Sequence, residues 1–461
     1  MSTSTHKETL PYGLWRSPIS AALVSQGLRL EDVQFDSDGC TLVWLEGRSE
    51  RGVLVARRQG EAARDLTVEH SVRGGIGYGG GEFAVAGGSV IFAARDGRLY
   101  RRSLAADPPR AITPPFGSAA APAISPDGDW VAYVFSDGVD DLIALVDSHG
   151  RDWSIKLTRG ADFYMQPVWH PAGDRLAWVE WYHPNMPWDG SRLQLTNLEG
   201  SPPRLTTQTL VDGSAADAVI QPQFSPDGKW LSYIITTGEW ERLVILDLQS
   251  GEKRTLVRGD GFHLARPPWI QGMRFYGWSA SSQRVFYLRN YAGAASLWQV
   301  ELESGETTPI DIAPYTWLSQ LSVSSVEDQL ALIASSPTIP DRILRWDGNT
   351  IWIEARSESE IIPPELLPQS QPISWRASDD TPVHGLYYPP TNPDFTGKGL
   401  PPAIINVHGG PTSQATTRYS SEIAFFTSRG YAWLELNYRG SSGYGRSYQN
   451  ALRECWGEVD V

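Results

Sequence analysis

One stretch near the C-terminal end of the sequence combines residue types that can stabilise a developing negative charge. The apolar run from Ala403 to Val407 is followed at once by His408, Gly409, Gly410 and Pro411. A short continuous apolar run is typical of a buried parallel strand. The two glycines allow a sharp turn that exposes backbone N–H groups, and the proline prevents the strand from continuing. Exposed N–H groups of this kind can form the oxyanion hole of an acyl-transfer enzyme.

Acyl transfer also needs a hydroxyl nucleophile, a histidine base and an orienting carboxylate. The sequence contains no Gly-x-Ser-x-Gly motif, and the nearest match, Gly440-Ser-Ser-Gly-Tyr444, has tyrosine in place of the last glycine. We therefore do not expect Ser441 or Ser442 to be a nucleophile. Of the eight histidines, only His408 lies in a motif connected with acyl transfer. The sequence thus predicts part of a catalytic site.

The elements around this stretch can be predicted from their patterns. Gln371 to Asp379 and Val383 to Tyr388 are expected to form an antiparallel strand pair. A helix is predicted from Ser420 to Ser428 with Gly430 at its C-cap, and a second core strand from Tyr431 to Asn437. Because only two or three strands of a parallel sheet are present, we expect this sheet to have an uncovered edge.

One phrase recurs along the preceding three hundred residues. Each copy predicts a strand, a tight turn at Ser-Pro-Asp-Gly or a degenerate form of it, and a second strand in which apolar residues alternate. The spacing of roughly 40–55 residues matches a four-stranded propeller blade. Seven copies favour seven blades, and the alternative is a sandwich with coincidental turns. The copies are Val33 to Leu45, Phe83 to Phe92, Pro122 to Val134, Pro167 to Val179, Pro222 to Ile234, Tyr276 to Leu288 and Leu321 to Ile333.

Composition narrows the classes of function. The formal net charge of -14, with no basic cluster, argues against nucleic-acid binding. The only cysteines, Cys40 and Cys455, are too few for a disulfide framework or a zinc site, which favours a reducing, cytoplasmic compartment. No stretch approaches 18 apolar residues, so no membrane segment is predicted. No metal-ligand spacing or phosphate loop appears, and we expect neither a metal nor a cofactor.

The sequence resembles the prolyl oligopeptidase family of serine peptidases, especially its acylaminoacyl-peptidase and dipeptidyl-aminopeptidase-like members. The resemblance covers essentially the whole chain. It rests on the repeats and on four motifs, which are Tyr12 to Ile19, Trp181 to Asp189, Val407 to Pro411 and Asn437 to Gly445. The family pairs a seven-bladed propeller with an α/β-hydrolase domain, and the active site lies between them. Its triad follows the order Ser, Asp, His, downstream of the glycine-rich loop.

The resemblance implies a mainly β fold, with a seven-bladed β-propeller followed by the N-terminal part of an α/β-hydrolase domain. The expected divisions are an N-terminal segment packed on the hydrolase domain, the propeller, a linker and an incomplete hydrolase domain. They are residues 1–30, 31–355, 356–370 and 371–461. The sequence ends at Val461 before any nucleophile elbow, and we expect a chain cut short of its catalytic serine.

The resemblance also implies roles for single residues. His408 would orient the oxyanion loop, the Gly410 N–H would donate to the oxyanion, and Gly409 would belong to the same loop; the alternative is an ordinary strand-to-helix turn. Substrate-binding residues are predicted at the start and end of the glycine-rich loop, and an open alternative is that the arginine among them only pairs with a core carboxylate. They are Tyr438, Arg439 and Tyr444. His183, Trp188 and Asp189 either face the propeller tunnel or simply pack.

Two hypotheses of function follow. The first is the N-terminal portion of a serine exopeptidase or oligopeptidase that hydrolyses short peptides through an acyl-enzyme, with the propeller gating access. On this hypothesis the chain alone is inactive, because the Ser/Asp/His triad is absent. The second is a non-catalytic propeller that binds a protein or peptide and carries a vestigial hydrolase edge. The expected partners are short peptides, without nucleic acid or membrane, and a homo-oligomer is compatible with the sequence.

Overall fold

The computed structural model describes residues 7–105 and 107–460. The first six residues of the predicted N-terminal segment, Ala106 and Val461 lie outside the described residues. The described chain begins with strand β1 (Glu8–Thr9), which pairs in parallel with a later strand, Phe395–Thr396. The short helix α1 (Ala21–Val24) follows, and the Ser20 side chain caps it by accepting a hydrogen bond from the Leu23 N–H.

Seven sheets of four antiparallel strands follow in the described residues, and within each sheet the strands pair in chain order. The first sheet contains β2 (Arg29–Phe35), β3 (Thr41–Arg48), β4 (Arg51–Arg58) and β5 (Arg64–Asp65), and the second contains β6 (Phe83–Ala86), β7 (Ser89–Ala93), β8 (Leu99–Ser103) and β9 (Arg110–Ala111). The third sheet contains β10 (Ser118–Ile124), β11 (Trp130–Ser136), β12 (Asp141–Asp147) and β13 (Ile155–Lys156). The fourth contains β14 (Phe163–Trp169), β15 (Arg175–Trp181), β16 (Arg192–Glu199) and β17 (Arg204–Gly213). The fifth sheet contains β18 (Ala218–Phe224), β19 (Trp230–Thr236), β20 (Glu241–Asp247) and β21 (Lys253–Arg258). The sixth contains β22 (Tyr276–Trp278), β23 (Arg284–Tyr291), β24 (Ala294–Glu301) and β25 (Thr307–Ile310). The seventh contains β26 (Trp317–Val323), β27 (Leu330–Ser336), β28 (Ile339–Trp346) and β29 (Ile351–Arg356).

The sheets pack side by side and the row closes on itself. Strands β2, β6, β10, β14 and β18 contact one another in sequence, as do β22 and β26. The fifth and sixth sheets are joined by the Gln221 amide, which donates to the Tyr276 carbonyl at 2.8 Å. Strand β2 also contacts β26, β27 and β28 of the last sheet. Sheets of four antiparallel strands in a closed row fit the blades of a propeller.

The repeated phrase forms the predicted turn. Between β10 and β11, the Ser125 hydroxyl donates to the Asp127 carboxylate at 2.5 Å and accepts from the Trp130 N–H at 2.9 Å. Gly128, which has a φ of +78°, closes this turn with an N–H donated to the Ser125 carbonyl at 2.8 Å. The copy between β18 and β19 repeats these contacts through Ser225. The turn is therefore specified locally, by side-chain hydrogen bonds and a left-handed glycine.

The C-terminal part forms a separate mixed sheet. A 3₁₀ turn at Pro364–Leu366 precedes β30 (Gln371–Arg376), β31 (Pro382–Tyr388), β32 (Phe395–Thr396), β33 (Ala403–Val407), helix α2 (Ser421–Thr427), β34 (Ala432–Asn437) and helix α3 (Arg446–Asn450). The strand order is β30-β31-β34-β33, in which only the β33–β34 pair is parallel. The predicted hairpin, helix and second core strand are confirmed.

Two details differ from the sequence prediction. Strand β33 forms where predicted, but it is not buried, because it is the edge of the sheet; Ile405 is 61% and Val407 56% exposed. The prediction of an uncovered edge is confirmed at the same strand. Helix α2 has its C-cap at Ser428, and Gly430 lies two residues beyond it with a φ of +95°. An added Cβ at Gly430 would lie 3.0 Å from the Trp15 ring, so glycine is needed there for close packing as well as for the turn.

The N-terminal segment packs on the end of α2. The Gly13 N–H donates to the Arg429 carbonyl at 3.0 Å, and the Ser17 and Ser428 hydroxyls lie 2.7 Å apart. Ile19 is buried in a cluster that includes residues of α2 and of the 3₁₀ turn. These contacts join the two ends of the described chain. Among the described residues, no helix is long and apolar enough to cross a bilayer.

An unpaired apolar edge strand is a template for association between chains. We therefore expect a protein consisting of residues 1–461 to self-associate, and we expect Ile405→Lys on the edge strand to reduce this association. Static light scattering over a concentration series would measure it. Leu400→Lys is the matched control, because Leu400 is 95% exposed but lies outside any strand. Equal association of both variants and the parent would contradict the edge as the cause.

Candidate active site

His408 follows β33 directly and is held by four contacts with three residues. Its Nδ1 lies 3.0 Å from the Gly409 carbonyl, which can only accept, so Nδ1 carries the proton. The other nitrogen, Nε2, therefore accepts from the Ser441 hydroxyl at 2.9 Å. The ring also stacks on Tyr438 with centroids 4.8 Å apart, and the tyrosine hydroxyl donates to the His408 carbonyl at 2.9 Å. The loop is therefore fixed at both its side chain and its backbone.

A neutral imidazole fits these contacts. Burial lowers the pKa of His408 below 6.5, although the Gly409 carbonyl and the charge of Glu435 act in the opposite direction. The ring is therefore neutral at pH 7, which leaves a lone pair on Nε2 for the Ser441 hydroxyl.

The glycines of the predicted oxyanion loop are both exposed. Gly410 has a φ of +116°, a region that side-chain-bearing residues rarely adopt, and an added Cβ would lie 3.3 Å from that of Ser413. Gly409 has no atom within 4 Å of such a Cβ. Within residues 7–105 and 107–460, neither glycine N–H donates a hydrogen bond to the protein. Both N–H groups are therefore open to a ligand.

The contact between Ser441 and His408 has the distance of a nucleophile–base pair, but the surroundings differ. Ser441 is 0% exposed, so no substrate carbonyl can reach its hydroxyl in this conformation. The carbonyl of Gly409, in place of a carboxylate, orients the imidazole. Ser442 is 3% exposed and is held by its N–H, which donates to the Ser413 carbonyl at 2.8 Å. The contact positions the loop, in agreement with the expectation that neither serine is a nucleophile.

Tyr438 and Arg439, two of the three predicted substrate-binding residues, are committed to contacts within the chain. Tyr438 is buried beneath His408 and adjoins the oxyanion loop. Arg439 lies elsewhere, because its guanidinium pairs with the Asp379 carboxylate and donates to the Val459 carbonyl at 2.8 Å. The N–H of Thr381, its hydroxyl and Arg439 lower the pKa of Asp379. The alternative that Arg439 pairs with a carboxylate agrees with the structure, although this carboxylate lies in an exposed turn.

Tyr444, the third residue, is also separated from the predicted oxyanion loop. Its ring stacks on His384 with centroids 4.1 Å apart and an interplanar angle of 5°. Its hydroxyl accepts from the Asn437 amide at 2.8 Å, and burial raises the pKa of Tyr444 to about 12. None of the three residues lines the cavity described below. Their role in substrate binding therefore stays a prediction.

Asn437 is a positioning residue that sequence reasoning missed. It is fully buried at the end of β34, and its side-chain oxygen accepts from the Ala415 N–H at 2.7 Å. Its amide donates to Tyr444, so one side chain joins the segment after the oxyanion loop to the glycine-rich loop. The available signal was a polar residue that ends an apolar strand immediately before that loop.

A cavity of about 490 Å³ lies between the ring of sheets and the C-terminal sheet. Its C-terminal wall includes Thr412, Ser413, Gln414 and Ser442, which flank the two loops just described. Trp269 crosses from the ring side, and its indole N–H donates to the Thr412 carbonyl at 2.7 Å. An added Cβ on Gly410 would lie 3.8 Å from this indole, so the cavity adjoins the oxyanion loop.

Trp188 is one of the three residues that were expected either to face the propeller tunnel or simply to pack. Its ring packs against Trp269 with centroids 4.5 Å apart, and it lines a smaller cavity beside the first. Asp189 pairs with Arg453, and the His183 N–H donates to the Asp162 carboxylate at 2.9 Å. In the structure, these three residues make packing and loop contacts.

The glycine-rich loop is tied to the ring of sheets by hydrogen bonds. The Gly445 N–H donates to Nε2 of His263 at 3.0 Å, and the other ring nitrogen lies 2.8 Å from the Glu241 carboxylate. The carboxylate of Glu239 accepts from the Ser447 N–H at 3.1 Å. These contacts hold the two parts of the chain on either side of the cavity.

Comparisons with known proteins agree with this architecture. The profile of the Prolyl oligopeptidase family matches residues 417–461. The structure of a puromycin-hydrolysing peptidase from Mycobacterium tuberculosis is 30% identical with a TM-score of 0.90, and the match covers 98% of this chain and 72% of that one. A mutant puromycin hydrolase complexed with PGG is also 30% identical, with a TM-score of 0.89 and coverage of 98% and 73%.

Curated sequences show the same relationship over shorter lengths. The human acylamino-acid-releasing enzyme is 26% identical over 372 residues, which are 72% of this chain and 48% of that enzyme. The dipeptidyl aminopeptidase BIII of Pseudoxanthomonas mexicana is 28% identical over 247 residues, or 50% of this chain and 33% of the relative. The chain thus spans about half or less of the length of these curated relatives.

Removing the Ser441 hydroxyl would leave Nε2 of His408 without its donor. We expect Ser441→Ala to lower the free energy of unfolding by about 1–3 kcal/mol, the usual cost of a buried polar group left unpaired. Urea denaturation would measure the change. Ser442→Ala is the matched control, because the described contact of Ser442 is made by its backbone. Equal effects of the two substitutions would contradict the assigned hydrogen bond.

The same contact predicts a pH dependence. Since the folded-state pKa of His408 lies below 6.5, its unfolded value, the unfolded chain binds more protons as the pH falls past 6.5. The stability that the neutral ring confers is complete above that pH and is lost as the pH falls toward the folded-state value. We expect NMR titration of His408 to give a pKa below 6.5, and a value above it would refute the assigned protonation state.

Proposed function

Because the chain belongs to the prolyl oligopeptidase family of serine peptidases, we propose that it supplies the propeller and the oxyanion loop of an enzyme that hydrolyses short peptides through an acyl-enzyme. The ring of seven sheets, residues 31–355, would be the seven-bladed propeller that limits access to the cavity. Residues 371–461 would be the N-terminal part of the α/β-hydrolase domain, joined by the linker 356–370. A cytoplasmic location and a homo-oligomer stay predictions.

The observation that carries the proposal is the Gly410 N–H without a hydrogen-bond partner among the described residues. This N–H is exposed beside a cavity, donates to no described protein acceptor, and lies on a loop fixed by His408 and Tyr438. An oxyanion hole needs such a donor in place before charge develops on the substrate. One donor of this kind contributes about 2.7–4 kcal/mol to transition-state stabilisation.

Short peptides are the proposed substrates. The complex of a puromycin hydrolase with PGG, at 30% identity to this chain, supports binding of a small ligand in this fold. The cavity of about 490 Å³ is within the usual range for small-molecule sites. In this proposal the ring of sheets excludes folded proteins and admits short flexible chains.

The chemistry needs a nucleophile that residues 1–461 do not show. No Gly-x-Ser-x-Gly motif occurs in them, and the serines near His408 are buried. We propose that the triad is supplied by a segment following Val461 and that these residues alone do not turn over a peptide. The competing hypothesis remains a propeller that binds a protein or peptide without catalysis.

Purification from the native source would separate the two hypotheses. We expect an intact mass well above the 50.9 kDa of residues 1–461, hydrolysis of a peptidyl chromogenic substrate, and covalent labelling by a fluorophosphonate. Purified residues 1–461 are expected to show neither hydrolysis nor labelling. A native mass of 50.9 kDa without labelling would favour the binding module, and turnover by residues 1–461 would refute the assignment of the nucleophile.

Gly410 can be tested against its neighbour in the unlabelled native enzyme. Gly410→Ala forces a side chain onto a φ of +116° and is expected to displace the N–H, lowering kcat about 10²–10³-fold with little change in KM. Gly409→Ala is the control, because nothing lies within 4 Å of the added Cβ. A KM effect alone, or equal losses in both variants, would argue against an oxyanion role for Gly410.

A further inference from the structure

The ring-side wall of the cavity carries a positive charge without a partner. The Arg266 guanidinium lies over the Trp317 ring at 4.9 Å and over the Phe275 ring at 6.0 Å. Among the described residues, it has no carboxylate within ion-pair distance and donates no hydrogen bond. Aromatic faces hold a cation but leave its N–H groups unused. The fork of donors of Arg266 is therefore available to the cavity.

The other arginines on this cavity differ from Arg266. Arg29 pairs with Glu31 at 2.9 Å, and Arg418 pairs with the Asp341 carboxylate. Their charges are thus compensated within the chain. Burial, with a contribution from the charge of Arg418, lowers the pKa of Arg266 to about 10, so the group is still protonated at pH 7. A desolvated cation without a partner is costly, and an anionic ligand would offset that cost.

Two glutamines that line the same cavity have amide atoms without hydrogen-bond partners among the described residues. Gln271 is 6% exposed, and its side-chain N–H donates to the Tyr164 carbonyl at 2.9 Å, which assigns the orientation of the amide. Its Oε1 is buried without a donor. Gln414 also lines the cavity, and both of its amide atoms lack partners among the described residues. These unpaired amide atoms are buried, so the group that the cavity presents to an anion is the Arg266 guanidinium.

The balance of charge favours a ligand group with a single negative charge. With the pairs of Arg29 and Arg418 compensated, the remaining charged groups on the lining are Arg266 and Glu82. Burial and the nearby Asp32 raise the pKa of Glu82 to about 7, so this carboxyl is partly neutral at physiological pH. A dianion would exceed the single positive charge and would meet Glu82 as well. A carboxylate matches the planar fork of one arginine.

We propose that Arg266 binds the free C-terminal carboxylate of a short peptide. The proposal rests on the proposed peptidase function and names its substrate class, short peptides with an unblocked C-terminus. Because Trp269 lines this cavity and also adjoins Gly410, the carboxylate site and the oxyanion loop face one ligand space. A charge fixed at one end of a cavity of this size selects for short chains over long or amidated ones.

Binding of trialanine and of trialanine amide to purified residues 1–461 tests the proposal by isothermal titration calorimetry. The two probes differ only in the terminal carboxylate. We expect the free acid to bind at least tenfold more tightly than the amide. In Arg266→Gln this preference is expected to vanish while the affinity for the amide is unchanged, and Arg266→Lys is expected to retain part of it, because the charge remains without the fork.

Arg29→Gln is the matched control, since it removes one positive charge from the same cavity at a group already paired with Glu31. It is expected to keep the preference for the free acid. Equal binding of acid and amide by the parent protein would overturn the carboxylate site and leave peptide binding in place, and so would a preference that survives Arg266→Gln. Binding of neither probe would overturn this inference, whereas the proposed function is decided by the purification experiment.

Discussion

The candidate site depends on the neutral imidazole of His408. One ring nitrogen donates to the Gly409 carbonyl and the other accepts from Ser441, so a single side chain fixes the loop that it belongs to. Tyr438 holds the backbone of the same residue. These contacts fix the residue two positions before Gly410, whose N–H donates to no acceptor among the described residues. A preorganised donor costs no reorganisation when charge develops on a substrate.

The second constraint is the attachment of the C-terminal sheet to the ring of sheets. Trp269 donates to the Thr412 carbonyl, and the Gly445 N–H donates to His263, so both loops of the site are anchored on the ring. His263 must be unprotonated at Nε2 to accept this bond, and Glu241 favours that tautomer by accepting from Nδ1. These two anchors fix the positions of the cavity walls relative to each other.

Charge is distributed unevenly around this cavity, although the whole chain carries a net charge of -14. Arg29 and Arg418 form ion pairs within the chain. Arg266 and Glu82 also line the cavity, and they form no ion pair with each other among the described residues. Net charge argued against nucleic acid as a partner, but it did not indicate a local site for an anion. Local pairing, which depends on the folded contacts, decides which charges remain for a ligand.

Much of the architecture was determined by the sequence alone. The turn of each repeat depends on groups a few residues apart, as Ser125, Asp127 and Gly128 show, so it can be predicted from the local sequence. The helix after the oxyanion loop and the strand at Ala432–Asn437 were predicted for the same reason. The position of Gly410 in a turn that needs glycine was likewise encoded locally.

Contacts over long distances in the chain were decided only by the tertiary structure. Ser441 reaches His408 across 33 residues, and Arg439 reaches Asp379 across 60, because sheet pairing brings their strands together. The exposure of Ile405 follows from the strand order, which an apolar run cannot reveal. Arg266 was not distinguished in the sequence at all, since the absence of a partner is a property of the closed ring. Local patterns specify turns and strands, but packing decides which donors and charges are left free to act.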